Sequence, residues 1–355
     1  MTRVLSVAPV LPPHSYDQQT LTDAFAEVVL PAGADRRVLD RLHEATGVRR
    51  RHLALPLEAY AGLEGFGAAN DAFIQVGAEL GERAIRAALA TAALQPADVD
   101  LVMTTTVTGV AAPSLDARLV QRLGLRPDVR RIPVFGLGCV AGAAGVARVH
   151  DLLAGDPDGV AVLLAVELCS LTIQRDDTSM ANLVGSGLFG DGAAAVVLVG
   201  ERRAAAMGRP AAPRVVSTRS RFYPDTERVM GWDIGGSGFR IVLDASVADV
   251  VETNLGPDVT AFLDDHDLKV DDMTTWVAHP GGPKVLHAME RALGLPPGAL
   301  DLTWRSLERV GNLSSVSVLH VLADTLAGPP PAAGSFGLML AMGPGFCSEM
   351  VLLQW

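Results

Sequence analysis

The chain has 355 residues, 49% of them hydrophobic and 19% charged, which excludes a disordered polymer and supplies apolar material for two packed halves rather than one core. Its net charge of −11 excludes a global positive field for nucleic acid, so an anionic substrate must be met by a local patch. Three widely spaced cysteines, Cys139, Cys169 and Cys347, form no CxxC pair or Cys/His cluster; neither a zinc site nor a disulfide framework is expected, and a reducing cytoplasm fits.

In chain order, prolines interrupt the N-terminal stretch MTRVLSVAPVLPPHSYD before an apolar leader can form. An arginine-rich stretch follows: Arg36, Arg37, Arg41, Arg49, Arg50 and Arg51. It reads either as solvated surface or as the local anion patch. Residues 101–106 (LVMTTT) predict a strand, 114–123 a helix, 131–135 (RIPVF) a strand and 140–153 a helix of small residues. VAVLLAVE at 160–167 and AAAVVLV at 193–199 read as strands covered on both faces. The apolar run 160–166 is far shorter than the ~20 residues of a membrane span. No membrane span is expected.

The second half repeats this plan. PADVDLVMTTTVTG around 96–109 has its counterpart in LKVDDMTTWVAHPGG around 268–282. Each leads to a glycine-preceded helix start, at Cys139 and at Asn312, then a Pro/Gly loop and a buried strand, VAVLLAVE or SFGLMLAM. A glycine turn and a last strand close each half, GDGAAAVVLVG and GPGFCSEMVLLQW. The apolar pattern breaks at 201–214, which divides the chain into halves 1–205 and 206–355. The segment 172–189 has no counterpart in the second half. Duplication makes the two helix starts neighbours across a pseudo-twofold axis, so that Cys139 and Asn312 face one pocket.

Cys139 follows strand RIPVF in the turn GLG-C and opens a helix, whose N-terminus would stabilise a thiolate and lower the thiol pKa from about 8.5 into the ~3.5–7.5 range. A buried packing role is the alternative for any free cysteine. His279 ends strand TTWVA before a Pro-Gly-Gly-Pro turn, at the carboxyl end of a strand, where α/β sheets build sites. His150, His287 and His320 fall inside helices and read as ordinary surface or core groups. Asn312 precedes an apolar helix and by itself also reads as an N-cap. Gly136, Gly138 and Ala141 fit a relaxed GxGxxA pattern, and Gly185, Gly187 and Gly190 fit GxGxxG. The second runs into a strand, and the first lacks the acidic residue a dinucleotide needs, so nucleotide binding is disfavoured. Together, a thiolate with neutral His and Asn donors suits attack on an acyl thioester, followed by stabilisation of the enolate left when a malonyl unit loses carbon dioxide. That chemistry needs neither metal nor redox cofactor.

The segments VFGLGCVAGAAG, GSGLFGDGAAAV, WVAHPGGPKVL, RVGNLSSVSVLHVLADTL and AMGPGFCSEMVLLQW, with RRRHLALPLE near 49–58, resemble bacterial type III polyketide synthases of the chalcone synthase superfamily. The resemblance implies a thiolase-like α/β fold, its duplicated halves forming a layered αβαβα core. It implies a homodimer that loads an acyl-CoA on Cys139, extends it with malonyl-CoA and cyclises the product, with CoA thioesters as substrates and no cofactor. The GPGF-type terminus favours this family over ketoacyl-ACP synthase III, which shares the Cys-His-Asn set. A cysteine hydrolase and a non-catalytic CoA-binding scaffold are the readings from other classes.

By position, Phe189 resembles the gatekeeping phenylalanine between CoA tunnel and cavity, and Gly343, Pro344 and Gly345 the loop shaping the cavity wall. Arg41, Arg49, Arg50 and Lys284 fall where the family binds CoA, although its usual lysines are absent. Val107 and Cys169 stand where plant enzymes carry threonines, Ile241 where a second gatekeeper phenylalanine is expected, and Trp232 where a cavity glycine is expected; Thr172 and Ser314 keep hydroxyls. A more apolar pocket of altered shape favours an aliphatic acyl-CoA starter and an alkyl pyrone or alkylresorcinol product. Malonyl-CoA as its own starter, giving a tetrahydroxynaphthalene-type product, is the second expectation.

Overall fold

The computed structural model describes residues 1–31, 33–209 and 212–355. The first part runs β1 (Thr2–Val10), β2 (His14–Asp17), α1 (Gln18–Val29), α2 (Arg37–Glu44), β3 (Arg50–Leu53), α3 (Leu57–Tyr60), α4 (Gly65–Ala92), β4 (Leu101–Thr106) and α5 (Leu115–Leu123). It continues with β5 (Arg130–Phe135), α6 (Ala141–Ala154), β6 (Val160–Leu168), α7 (Met180–Leu188), β7 (Asp191–Gly200) and α8 (Glu201–Ala206). Then come β8 (Arg214–Phe222), β9 (Met230–Gly235), β10 (Gly238–Leu243), α9 (Val247–Asp264), β11 (Met273–Ala278) and α10 (Pro283–Leu293). The chain ends with α11 (Asp301–Val310), α12 (Ser315–Ala327), β12 (Phe336–Gly343) and β13 (Cys347–Gln354). Pro210 and Ala211, within the composition break at 201–214, lie outside the described residues.

Nine strands form one sheet in the order β11-β12-β13-β8-β1-β7-β6-β4-β5. Outward from the β8–β1 junction the two sides match: two antiparallel neighbours, β13 then β12 or β7 then β6, followed by a parallel one, β11 or β4. Only one side adds a further parallel strand, the edge strand β5. This is the duplicated plan in strand order.

Strand alternation explains the layers. Along β6, Val162, Leu164 and Val166 join the core under α4, while Ala161, Leu163 and Ala165 face the central helices α6 and α12. Because both faces are covered, the strand reads as one apolar run. The same central core takes Met339, Ala341, Val351 and Leu353 from the other half. On its outer face, Leu338, Leu340 and Leu352 pack with residues of α9 and α10. The succession is αβαβα. The small residues of α6 let it meet α12 closely: a Cβ on Gly142 would stand 2.3 Å from the Ser315 carbonyl oxygen.

The long helix α4, the β9–β10 hairpin, and α7 inside the unpaired segment 172–189 go beyond the elements expected from periodicity. Among the described residues no helix is long and apolar enough to cross a membrane.

Candidate active site

The turn between β5 and α6 presents Cys139. A single 3₁₀ turn, Gly138–Val140, precedes α6. Gly138 has φ 57°, and a Cβ there would lie 2.6 Å from Pro344 Cδ. Glycine therefore allows both the left-handed backbone and the close packing of the Gly343-Pro344-Gly345 loop on the cysteine turn. Cys347 holds that loop from behind, its thiol donating to the Pro344 carbonyl at 3.3 Å. Cys139 is buried, and its Sγ donates to Ser314 Oγ at 3.6 Å. Ser314 sits at φ 50°, a conformation costing roughly 1–3 kcal/mol for such a residue.

The expected low pKa of Cys139 is not found. Burial pushes the thiol up to about 12; the Ser314 hydroxyl pulls the other way, and Glu167 adds to the rise. A helix terminus offers only about half a unit charge. Here it is outweighed by the loss of water, and the cysteine stands one 3₁₀ turn ahead of α6.

His279 follows β11 directly, its backbone N–H bonded to the Leu340 carbonyl at 2.8 Å. The side chain is 3% exposed, and neither ring nitrogen has a hydrogen-bond partner. Burial alone pulls its pKa down to about 3, so the ring is neutral at pH 7.

Asn312 is not the helix cap. The cap position of α12 belongs to Ser314, and Asn312 instead forms a parallel bridge with Phe189. Its backbone N–H donates to the Leu188 carbonyl at 2.9 Å, and its carbonyl accepts from Gly190 N at 3.0 Å. Its side-chain Oδ1 accepts from Ser314 N at 2.8 Å and its Nδ2 donates to the Gly281 carbonyl at 3.4 Å. A chain of contacts thus runs from Cys139 through Ser314 and Asn312 to the turn that follows His279.

A cavity of about 790 Å³ opens against Cys139, Ser314 and Pro344. Val107, Cys169, Thr172 and Phe189 line it as well. Trp232 and Ile241, directly opposite each other across the β9–β10 hairpin, complete the predicted wall. His279, Asn312 and Gly343 are buried but outside the lining. The predicted cations are elsewhere. Arg41 borders a shallow surface hollow with Asp35, Arg37 and Asp40. Arg49 pairs with Glu308 at 2.5 Å, Arg50 donates to Ser15 Oγ at 3.1 Å, and Lys284 is exposed in the first turn of α10.

Arg51 departs from the surface patch in which the sequence placed it. Strand alternation turns Arg50 outward and Arg51 inward. Buried at 3% exposure and lining the cavity, Arg51 donates to the carbonyls of Ser186 at 2.6 Å and Phe189 at 2.8 Å and to Gln18 Oε1 at 3.0 Å. Glu167, Tyr60, Ser170 and Asp191 are further buried or cavity residues that periodicity did not single out. Glu167 left one signal, a carboxylate ending an apolar strand. It accepts from Ser315 Oγ at 2.5 Å, Thr108 Oγ1 at 2.9 Å and Val107 N at 3.1 Å, and burial raises its pKa to about 7. Among the described residues no group of three His, Cys, Asp or Glu side chains could hold a metal ion.

Residues 1–202 match the family model of the chalcone and stilbene synthase N-terminal domain, and residues 214–355 match that of the C-terminal domain. The chain is 58% identical over 356 residues to a 1,3,6,8-tetrahydroxynaphthalene synthase of Streptomyces peucetius subsp. caesius, covering 100% of this chain and 93% of the relative. It is 33% identical to a putative chalcone synthase of Bacillus subtilis, covering 100% and 99%. The solved 1,3,6,8-tetrahydroxynaphthalene synthase of Streptomyces coelicolor, a bacterial type III polyketide synthase, superposes with a TM-score of 0.92 at 29% identity, covering 99% of both chains. With both family models matched in order along a duplicated, layered fold, the chain belongs to the chalcone and stilbene synthase family and is a bacterial type III polyketide synthase.

Proposed function

We propose that this enzyme is a tetrahydroxynaphthalene-type synthase using malonyl-CoA as both starter and extender. The observation that carries the reading is the 58% identity, along the entire chain, to a relative bearing that name. It favours the second of the two sequence expectations over the aliphatic starter. In this reading the half 1–205 supplies the nucleophile Cys139, and the half 206–355 supplies His279 and Asn312. Cys139 attacks the starter thioester, its proton passing by way of His279 to the departing CoA sulfur, so that the ring is neutral again. A second malonyl thioester then loses carbon dioxide, and donors on His279 and Asn312 hold the enolate oxygen. The enolate carbon attacks the Cys139-bound thioester and expels the Cys139 thiolate, so the chain, longer by two carbons, is left on CoA and is loaded back onto Cys139 for the next round.

The two unpartnered ring nitrogens of His279 support this role, because a dry neutral imidazole is a strong donor to a developing oxyanion. Phe189, bridged to Asn312, acts as the gate. Val107, Cys169, Thr172, Trp232, Ile241, Ser314 and Pro344 shape the product cavity, with Gly343 behind the wall. Arg41, Arg49, Arg50 and Lys284 are the candidates for holding CoA, with Arg49 the weakest because Glu308 occupies it. A cytoplasmic homodimer completes the reading.

One observation supports an aliphatic starter as a second reading. The cavity that meets Cys139 is also lined by Leu21, Phe25 and Val28 of α1 and by Leu57 and Leu63, apolar side chains suited to an alkyl tail, although Glu27, Glu58 and Glu64 of the same segments line it too. Product mass spectrometry with malonyl-CoA alone, and then with a series of acyl-CoA starters, separates the two. A naphthalene product from malonyl-CoA alone supports the first. Products formed only when a long-chain acyl-CoA is added refute it. Thioester hydrolysis without carbon dioxide release would sink both.

A further inference from the structure

A continuous hydrogen-bonded line leads from the cavity wall into the core. Tyr60 and Ser170 both line the cavity that holds Cys139, and Ser170 directly follows the cavity residue Cys169. The Tyr60 hydroxyl lies 2.5 Å from Ser170 Oγ. Ser170 Oγ in turn donates to the carboxylate of Asp191, which is 0% exposed. The directions are fixed by chemistry: an ionised carboxylate only accepts, so the single Ser170 proton is committed to Asp191 and Tyr60 must be the donor to Ser170. Asp191 is held rigidly, accepting also from Ser170 N at 2.8 Å and Ala54 N at 2.6 Å. The nearby buried cation, Arg51, makes its hydrogen bonds to carbonyls and Gln18 rather than to Asp191; its charge favours the ionised carboxylate, and burial outweighs it.

We propose that Tyr60, backed by Ser170 and Asp191, moves the protons of carbon–carbon ring closure in this cavity, so that the line steers the tethered chain toward an aromatic ring rather than a lactone. This inference rests on the condensing reading above. In the first step, Tyr60 oxygen takes a proton from a methylene between two carbonyls of the tethered chain. The Tyr60 proton passes to Ser170 and the Ser170 proton to Asp191, while the C–H electron pair becomes an enolate. The enolate carbon then bonds to a ketone carbon of the same chain, and the opened carbonyl oxygen takes the proton back along the same line; loss of that hydroxyl with a neighbouring hydrogen as water makes the ring aromatic. No external acid, base or oxidant is consumed. Without the line, an enol oxygen attacks the thioester instead and a lactone results. Burial raises the pKa of Asp191 to about 6, which suits a group that gains and returns a proton near neutral pH. Tyr60 would act on the substrate itself; Ser170 and Asp191 act through it.

The test uses the full chain with malonyl-CoA and compares wild type with Tyr60→Phe, Ser170→Ala and Ser170→Thr. Carbon dioxide release is measured alongside ring-closed and lactone products by chromatography and mass spectrometry. In Tyr60→Phe and Ser170→Ala the ring-closed product per carbon dioxide released should fall at least tenfold, with lactone rising. Ser170→Thr, which keeps the hydroxyl, should recover most of the loss. An unchanged ratio in both deletion variants would overturn the proposal. So would a parallel fall of ring product and carbon dioxide, because that marks a merely structural hydroxyl. Wild type releasing no carbon dioxide would instead overturn the condensing reading on which the proposal stands.

Discussion

Gly138→Ala is expected to cost about 2–5 kcal/mol of stability and to displace Cys139. A left-handed residue with a Cβ costs roughly 1–2 kcal/mol, and Gly138 has φ 57°. The added methyl would stand 2.6 Å from Pro344 Cδ and 2.7 Å from Pro344 Cγ, both atoms of a rigid ring. Overpacking of this kind costs about 1–3 kcal/mol more. Gly124→Ala provides the control. Its φ of 71° is also left-handed, but no atom lies within 4 Å of the new methyl, so only the backbone cost of roughly 1–2 kcal/mol applies. The double variant Gly138→Ala/Pro344→Ala removes the ring and should recover the clash, giving a coupling of about 1–3 kcal/mol in a double-mutant cycle. Urea unfolding of wild type, the single variants Gly138→Ala and Pro344→Ala, and the double variant measures it. Coupling within about 0.5 kcal/mol of zero would refute the close packing of the cysteine turn on the Gly-Pro-Gly loop. Condensation by the single variant should drop by about a hundredfold, the usual consequence of ångström-scale misplacement.

Arg51→Met keeps the apolar stem but strips the donors from two buried carbonyls; it should cost about 2–4 kcal/mol and slow condensation at least tenfold, since the Phe189–Asn312 bridge loses its anchor. Urea unfolding and carbon dioxide release check it, and an unchanged rate rejects that role. Trp232→Gly should open the wall opposite Ile241 and shift products toward longer starters, read by mass spectrometry across an acyl-CoA panel; an unchanged product spectrum counts against Trp232 as a cavity determinant. Burial, with Arg309 adding to it, holds His320 down to about 3 from the ordinary 6.5. The unfolded chain therefore binds the proton first as pH falls, so this stability is full above 6.5 and lost on descent toward 3. His320→Gln should lose about 2–3 kcal/mol less than wild type between pH 6.5 and 4.5; equal losses in urea unfolding would contradict it.

The parts of the fold legible in sequence are those where burial on both faces leaves an unbroken apolar run, as in β6 and β7, and those repeated in the second half. Cys139 and Asn312 could be singled out because duplication marks two equivalent stretches just ahead of helices, although Ser314 rather than Asn312 proved to hold the cap position. What escaped depends on long-range packing. Leu21, Phe25 and Tyr60 reach the cavity wall from segments over seventy residues before Cys139, and nothing local in them marks a pocket. The arginines at 49–51 read as one surface patch because a charge count ignores the two-residue period of a strand, which sends Arg51 inside. The pKa of Cys139 escaped for a similar reason. Position at a helix start is written in the sequence, whereas desolvation is a property of everything that packs around it.

That desolvation bears on how the proposed chemistry starts. Burial raises the Cys139 thiol to about 12 and lowers the His279 ring to about 3, so both side chains are uncharged at neutral pH. Moving the proton from sulfur to ring there would create two charges in a dry cavity, which is strongly disfavoured. The thiolate should therefore form only as a thioester enters, when the charge passes at once to the departing CoA. Dryness that silences the nucleophile also strengthens the neutral donors, because an enolate held without competing water gains more from each hydrogen bond. Alkylation of Cys139 in the free enzyme should therefore be slower than its acylation by a thioester substrate.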